Sequence, residues 1–246
     1  MAARAMASSE ALIQTIRQLV VANRILAHEG VLDVFGHVSV RHPERADRYL
    51  LSCSRSPELV TEEDILEFDL DSNPIDDGGR TLYSERPIHG CIYRTRADVA
   101  AVCHNHAHSL LPFGVTGVSL RPVFHVGAAI GAEVPTWEIR DEFGDATNML
   151  VTDNERGSSL AKALGGSPTC LMRGHGSVAV ARDLRSVVYV AITLMQNAAI
   201  LTESLKMGAV NYLSSGEVDQ LSKRVLESRS LDRAWNYWCQ RAGFPS

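Results

Sequence analysis

Apolar residues recur along this chain with two periods, and the switch between them predicts its elements. Leu12, Ile13, Ile16, Leu19, Val20 and Leu26 return every three or four positions, the spacing of one buried helix face. Ser8 or Ser9 is placed to cap that helix and Gly30 to stop it. The period then shortens to give brief extended runs at Gly36–Arg41, Arg48–Ser52 and Ile65–Leu70, the last closed by a turn at Asp71–Pro74. Thr61–Asp64 fits a one-turn capping segment, and Asp76–Gly79 an exposed turn. A helix is predicted from about Ser84, with Pro87 in its first turn and Ile88, Cys91 and Ile92 facing inward. The unbroken apolar run from Val99 predicts a buried strand over Val99–His104, with a further helix just after His108.

Residues 117–147 keep neither period and read as loop-rich, with one short strand near Glu133–Thr136. Asp153 to Leu164 is a predicted helix closed by Gly165 and Gly166. Thr169–Arg173 and Ser177–Ala181 are predicted strands around the tight Gly174-His175-Gly176 turn. Asp183–Met207 reads as one long helix and Glu217–Cys239 as another. Strands interleaved with long helices predict α/β packing around one central sheet. With no repeat and no low-complexity linker, residues 1–246 are expected to form a single domain.

Composition narrows the class of partner. A net charge of −5, with no basic stripe among aromatics, argues against nucleic acid and anionic membranes. The five cysteines are odd in number and lack CxxC spacing, which points to free thiols in a reducing compartment. The N-terminus has no long apolar stretch, and no run reads as long enough to span a bilayer. A cytoplasmic protein is expected.

The chemistry is concentrated in His104-Asn105-His106-Ala107-His108. On a strand, side chains two apart share a face, so His104 and His106 project together. Two adjacent imidazoles are costly to bury unless something binds them, and a divalent metal is the usual binder. His175 is the best candidate for a third ligand, although a Gly-His-Gly turn fits an exposed hairpin equally well. Three histidines leave one or two coordination positions open, as in catalytic sites. Glu85, taken alone, fits a carboxylate at a helix N-terminus.

Taken together, Glu85, His104-Asn105-His106 nineteen residues later, the strand Gly36-His37-Val38-Ser39 and the turn Met172–Gly176 resemble the class II aldolase/adducin family. The resemblance implies a three-layer α/β/α sandwich with a mostly antiparallel central sheet. It also implies a homotetramer with active sites at subunit interfaces, where the C-terminal helix (about residues 217–240) is a candidate interface element. One divalent metal per subunit is implied on His104, His106 and His175, with Glu85 as acid/base. Zinc is the expected ion; manganese, cobalt and iron accept the same ligands.

The departures from the family pattern are as informative. Its sugar-phosphate aldolases usually carry Gly-Asn-x-Ser where this chain has His37, followed by a glycine-containing turn that cradles phosphate. Here the second stretch is Ser52-Cys53-Ser54-Arg55-Ser56-Pro57, with no glycine. Arg55 suits bidentate recognition of a carboxylate, with His37 as a second donor; an exposed loop arginine is the plainer alternative. The expected substrate contacts are His37, Ser39, Arg55, Ser84, His125 and Tyr237. His108 is expected to pack behind the site or in the core.

A three-histidine metal suits Lewis-acid stabilisation of the enolate left when a carbon–carbon bond breaks. A lost phosphate site and a gained carboxylate contact favour decarboxylation. The stretches Phe35–Ser39, Leu51–Val60 and Phe113–Gly117 also resemble the family's decarboxylases of aromatic catabolism, acting on carboxylated hydroxymuconic semialdehydes or dihydroxyphthalates. The nearest rival is a retro-aldolase on an unphosphorylated or carboxylated hydroxy-ketone. An Fe(II)-dependent oxygenase shares the ligand type. A non-catalytic adducin-like interaction module is opposed by the retention of all three histidines and Glu85.

Overall fold

The Ser9 hydroxyl accepts a hydrogen bond from the Leu12 amide at 3.1 Å and starts the first helix. The computed structural model describes residues 9–244, so Ser8 and the rest of the N-terminal stretch lie outside the described residues. The elements run α1 (Glu10–His28), β1 (His37–Arg41), β2 (Arg48–Ser52), β3 (Ile65–Asp69), α2 (Pro87–Thr95), β4 (Ala101–Asn105) and α3 (Leu111–Thr116). They continue with β5 (Thr136–Trp137), α4 (Arg140–Phe143), α5 (Asn154–Leu164), β6 (Thr169–Met172), β7 (Gly176–Ala181), α6 (Leu184–Met207), α7 (Ser215–Val225) and α8 (Ser228–Arg241). The one-turn capping segment expected at Thr61–Asp64 is a 3₁₀ helix over Glu62–Asp64 with Thr61 and Asp64 as its capping pair, whereas the 3₁₀ helices at Pro57–Leu59 and His125–Ile130 have no counterpart in the sequence expectation.

The strands form one sheet in the order β3-β2-β1-β4-β7-β6-β5, antiparallel except for the β5–β6 pair. Alternation along each strand sends side chains to opposite layers. Val38, Val40, Leu50, Ala101 and Cys103 pack with α1, α6 and α8. Tyr49, Leu51, Phe68, Val102, Val178 and Val180 pack with α2 and α5. This is the expected three-layer α/β/α sandwich. Because His104 shares the face of Val102, it emerges on the α2 side, and the β1–β4 register sets it directly beside His37.

Several boundaries differ from the sequence expectation, and one difference changes the architecture. The stretch read as one helix over Glu217–Cys239 is two helices broken at Leu226 and Glu227, where Glu227 is extended. The cause lies in the apolar phase. Val218 and Val225 are buried from α7, and Leu231, Trp235 and Trp238 from α8. At about 100° per residue, Leu231 in an unbroken helix would point roughly 120° away from Val225. The break brings both stripes inward. The helix expected from Ser84 begins instead at Pro87, whose ring suits the first helical position. The short strand expected near Glu133–Thr136 lies at Thr136–Trp137.

α6 also corrects the statement that no run is long enough to span a bilayer: by length and composition it is. It is a core helix, with 72% of its most apolar window buried beside α1, α8 and the sheet. The five cysteines are buried as free thiols.

The turn between β6 and β7 depends on close backbone approach. A Cβ on Gly176 would stand 2.1 Å from the Asn105 carbonyl oxygen, and Gly174 has a φ of 64°. Gly176→Ala is therefore expected to destabilise the protein by about 1–3 kcal/mol. A denaturant midpoint equal to that of the parent chain would show that the β4–β7 approach is looser than described.

Candidate metal centre

Two imidazoles meet where β4 ends. His104 Nε2 and His106 Nε2 are 3.0 Å apart, with their rings nearly perpendicular. The β6–β7 turn brings the His175 ring to 5.0 Å from that of His104 and 5.1 Å from that of His106. Glu85, two residues before α2, places Oε2 3.4 Å from His175 Nε2 and 3.7 Å from His104 Nε2. One donor atom from each of the four residues lies within 4.8 Å of every other.

The far side of each ring decides what the near side offers. His104 Nδ1 contacts the Ser177 carbonyl at 3.1 Å, and His175 Nδ1 the Met149 carbonyl at 2.9 Å. His106 Nδ1 contacts both Asp33 carboxylate oxygens at 3.1 Å. These partners only accept, so each Nδ1 carries the proton and each Nε2 is left as a bare lone pair. Three converging lone pairs and a carboxylate repel one another unless a cation lies between them. The donor set therefore fits a divalent metal, with each ligand already oriented by an outer partner.

The charge states follow from the same contacts. With no cation between them, a proton among the rings takes its place: burial pushes the Glu85 carboxyl up, but the hydrogen bonds and positive charge then offered by the His104 and His175 side outweigh it and hold Glu85 well below the usual carboxylate range. Burial pushes His175 down, yet Glu85 overcomes this and raises it. His106 is lowered by burial and by His104, with Asp33 opposing. Asp33 itself is held below its ordinary value: burial raises it, but the Phe35 and Gly36 amides and His106 together prevail.

Two of these supports escaped sequence reasoning. Asp33 accepts the Phe35 and Gly36 amides at 2.9 and 2.8 Å, an Asx turn that fixes the entry to β1. Its signal was an aspartate just ahead of Phe35-Gly36. Met149 adopts a left-handed φ of 64° while its carbonyl holds His175, and two residues on the Val151 amide donates to Glu85 Oε1 at 2.8 Å.

A cavity of roughly 530 Å³ opens over Glu85, His106 and His175. His37, Tyr83 and Ser84 form part of its wall, together with Ser54, Arg55 and Ser56 and apolar groups of Val34, Phe35, Leu82 and Leu150. Arg55 is 46% exposed and, among the described residues, engages protein through Nε alone, at 2.8 Å from the Leu59 carbonyl and 3.3 Å from Asp64. Tyr83 donates its hydroxyl to the Arg55 carbonyl, a contact that the sequence did not signal.

Three expected substrate contacts are not part of this wall. Ser39 shares the face of His37 but lies one strand repeat deeper, fully buried under His89 and Tyr93. His125 is exposed on a segment that packs with α6 and α7 rather than α2. Tyr237 is 56% exposed, because α8 turns Leu231, Trp235 and Trp238 to the core instead. His108, expected behind the site or in the core, is exposed and so not in the core; it lines a second cleft, with Ser109 and Met195, that also reaches Asp33 and His106 behind the site.

Residues 17–202 match the family described as Class II Aldolase and Adducin N-terminal domain. The chain is 32% identical to decarboxylase tropJ of Talaromyces stipitatus over 91% of its own length and 92% of that protein. It is 29% identical to the 3,4-dihydroxyphthalate decarboxylase of Arthrobacter keyseri, covering 82% of this chain and 84% of that one. The L-fuculose 1-phosphate aldolase of Glaciozyma antarctica superposes with a TM-score of 0.78 at 21% identity, covering 98% and 93% of the two chains. An aldolase II superfamily protein from Pseudomonas syringae gives 0.81 at 19% identity, covering 96% and 94%; at such identities these two speak for the fold. The activities named for the two decarboxylases are lyase reactions, and this chain is an enzyme of that class. The chain belongs to the class II aldolase and adducin family.

Proposed function

We propose that this chain, working as a single domain, is a metal-dependent decarboxylase of hydroxy- or oxo-carboxylates from aromatic catabolism, of the dihydroxyphthalate or carboxy-hydroxymuconic semialdehyde type. The observation that carries this reading is the composition of the cavity. It joins the histidine–glutamate cluster to Arg55 and His37 and to apolar groups of Phe35, Leu82 and Leu150. A flat, carboxylated ring matches those walls, whereas a glycine-amide cradle for phosphate is missing from the Ser52–Pro57 stretch. The names of the decarboxylase relatives support the same reaction type.

When bound on His104, His106 and His175, a divalent metal would supply Lewis acidity at the substrate oxygens. Arg55 keeps its terminal guanidinium nitrogens for the carboxylate that stays on the ring. Phe35 and Leu150 flank the ring and exclude water from the breaking bond. Glu85 is ionised at rest, so it enters as a base. Its Oε2 takes the proton of the hydroxyl beside the departing carboxylate and returns it to the ring carbon as carbon dioxide leaves, and the oxygen left anionic regains a proton from water on release. The Val151 amide on Oε1 keeps Oε2 turned to that task.

The mouth of the cavity carries Val34 and Phe35, 63% and 70% exposed. Cover from a neighbouring subunit would remove that apolar surface from water. A cytoplasmic homotetramer with its sites at subunit interfaces is therefore part of the proposal.

The metal assignment is checked by elemental analysis of purified protein. One divalent ion per chain is expected, with His106→Ala losing it and Asp33→Asn weakening its binding about 10–100-fold. Full metal content in His106→Ala would overturn the ligand set. Glu85→Gln is expected to keep its metal while turnover falls about 10²–10⁴-fold. Incubation with 3,4-dihydroxyphthalate should release carbon dioxide and leave a dihydroxybenzoate, with Arg55→Ala raising KM far more than it alters metal content. Aldehyde release from hydroxy-ketones, without carbon dioxide from the aromatic acids, would replace the decarboxylase with a retro-aldolase.

A further inference from the structure

Behind the cavity wall, a row of four buried polar side chains has no part in the steps above. Tyr93 Oη lies 2.8 Å from Ser39 Oγ, Ser39 Oγ 2.6 Å from His89 Nδ1, and His89 Nε2 2.6 Å from His37 Nδ1. Ser39 and His89 are wholly inaccessible, Tyr93 and His37 are 2% exposed, and only His37 borders the cavity. The row arises from two periodicities: His37 and Ser39 stand two apart on β1, His89 and Tyr93 four apart on α2.

Counting protons fixes its direction. Among the described residues the two rings hydrogen-bond only each other and Ser39, with no carboxylate among these partners, and both are shut off from water. A charge on either would be buried without a counter-ion, so both rings are neutral and each carries one proton. With one each from Ser39 and Tyr93, four protons serve three internal hydrogen bonds. One must point outward from an end of the row. Among the described residues, the Tyr93 hydroxyl has no hydrogen-bond partner other than Ser39. A proton turned outward there would be buried without a partner. The order is therefore Tyr93 to Ser39 to His89 to His37, and the spare proton emerges on His37 Nε2 at the cavity.

We propose that Tyr93, Ser39 and His89 are positioning residues that lock His37 in its Nε2–H tautomer, making it a fixed, uncharged donor to an anionic oxygen of the substrate. So held, His37 has no lone pair facing the cavity and cannot serve there as a base. The lock stands on the row alone; the substrate oxygen rests on the carboxylate reading above.

The test separates the two. Long-range ¹H–¹⁵N correlation on the full-length, zinc-loaded, histidine-labelled protein without substrate, assigned through His37→Gln, is expected to show His37 with Nε2 protonated and Nδ1 bare. A protonated Nδ1 would overturn the lock whatever the substrate. Ser39→Asp sets an acceptor-only group beside His89 Nδ1, which reverses the row and should move the His37 proton to Nδ1. His89→Gln, a milder change should the first not fold, should leave a mixture of tautomers. In either variant KM for 3,4-dihydroxyphthalate is expected to rise about tenfold to a hundredfold, with kcat within about twofold. A fall in kcat at unchanged KM would place His37 in the proton transfer and overturn the positioning role. If the parent chain does not turn over this acid, the substrate reading fails while the tautomer result still decides the lock.

Discussion

Three acceptors outside the site determine what lies inside it. The Ser177 and Met149 carbonyls and the Asp33 carboxylate each take an Nδ1 proton, so His104, His175 and His106 turn bare Nε2 atoms toward one another. Without those partners the rings would be free to change tautomer or rotate away. Each acceptor comes from a different part of the chain: the turn before β1, the β4–β7 pairing and the loop ahead of α5. The sheet, its register and the loops thus meet in one electrostatic requirement.

α2 has a second part in this arrangement. It begins two residues after Glu85 and carries His89 and Tyr93 on the face that covers β1. The same short helix therefore anchors the carboxylate in the ligand cluster and fixes the proton order of the row behind the wall. Buried polar chains of this kind are high-stakes, because each member left unpaired is penalised by the low dielectric around it. Here each bond satisfies the next, and the row ends on an open cavity.

Much of this was legible in the sequence. Helical spacing located α1, α5 and α6, and short alternating runs located β1, β2 and β3. Two histidines at strand spacing, with His175 in a tight turn, gave the ligand candidates, and the family resemblance gave the sandwich. What escaped had physical reasons. Met149 acts through a carbonyl, which leaves no mark in side-chain pattern. His89 carries no signal in the sequence because its partners, His37 and Ser39, lie about fifty residues away. Ser39 shares a face with His37, but periodicity reports face and not depth. The break between α7 and α8 was written in two seven-residue apolar intervals, Val218 to Val225 and Leu231 to Trp238, whose phases do not agree.

The distances between paired residues along the chain have a consequence for folding. Asp33 and His106 are 73 residues apart, Glu85 and Val151 66, and His104 and Ser177 73. Contacts of such separation close long loops and form only with the overall topology. A chain that has made only its local turns and helices holds these histidines dispersed, with no more claim on a cation than any unfolded peptide. A metal bound at this cluster would therefore meet a finished fold instead of nucleating one, and would stabilise it by mass action on the native state.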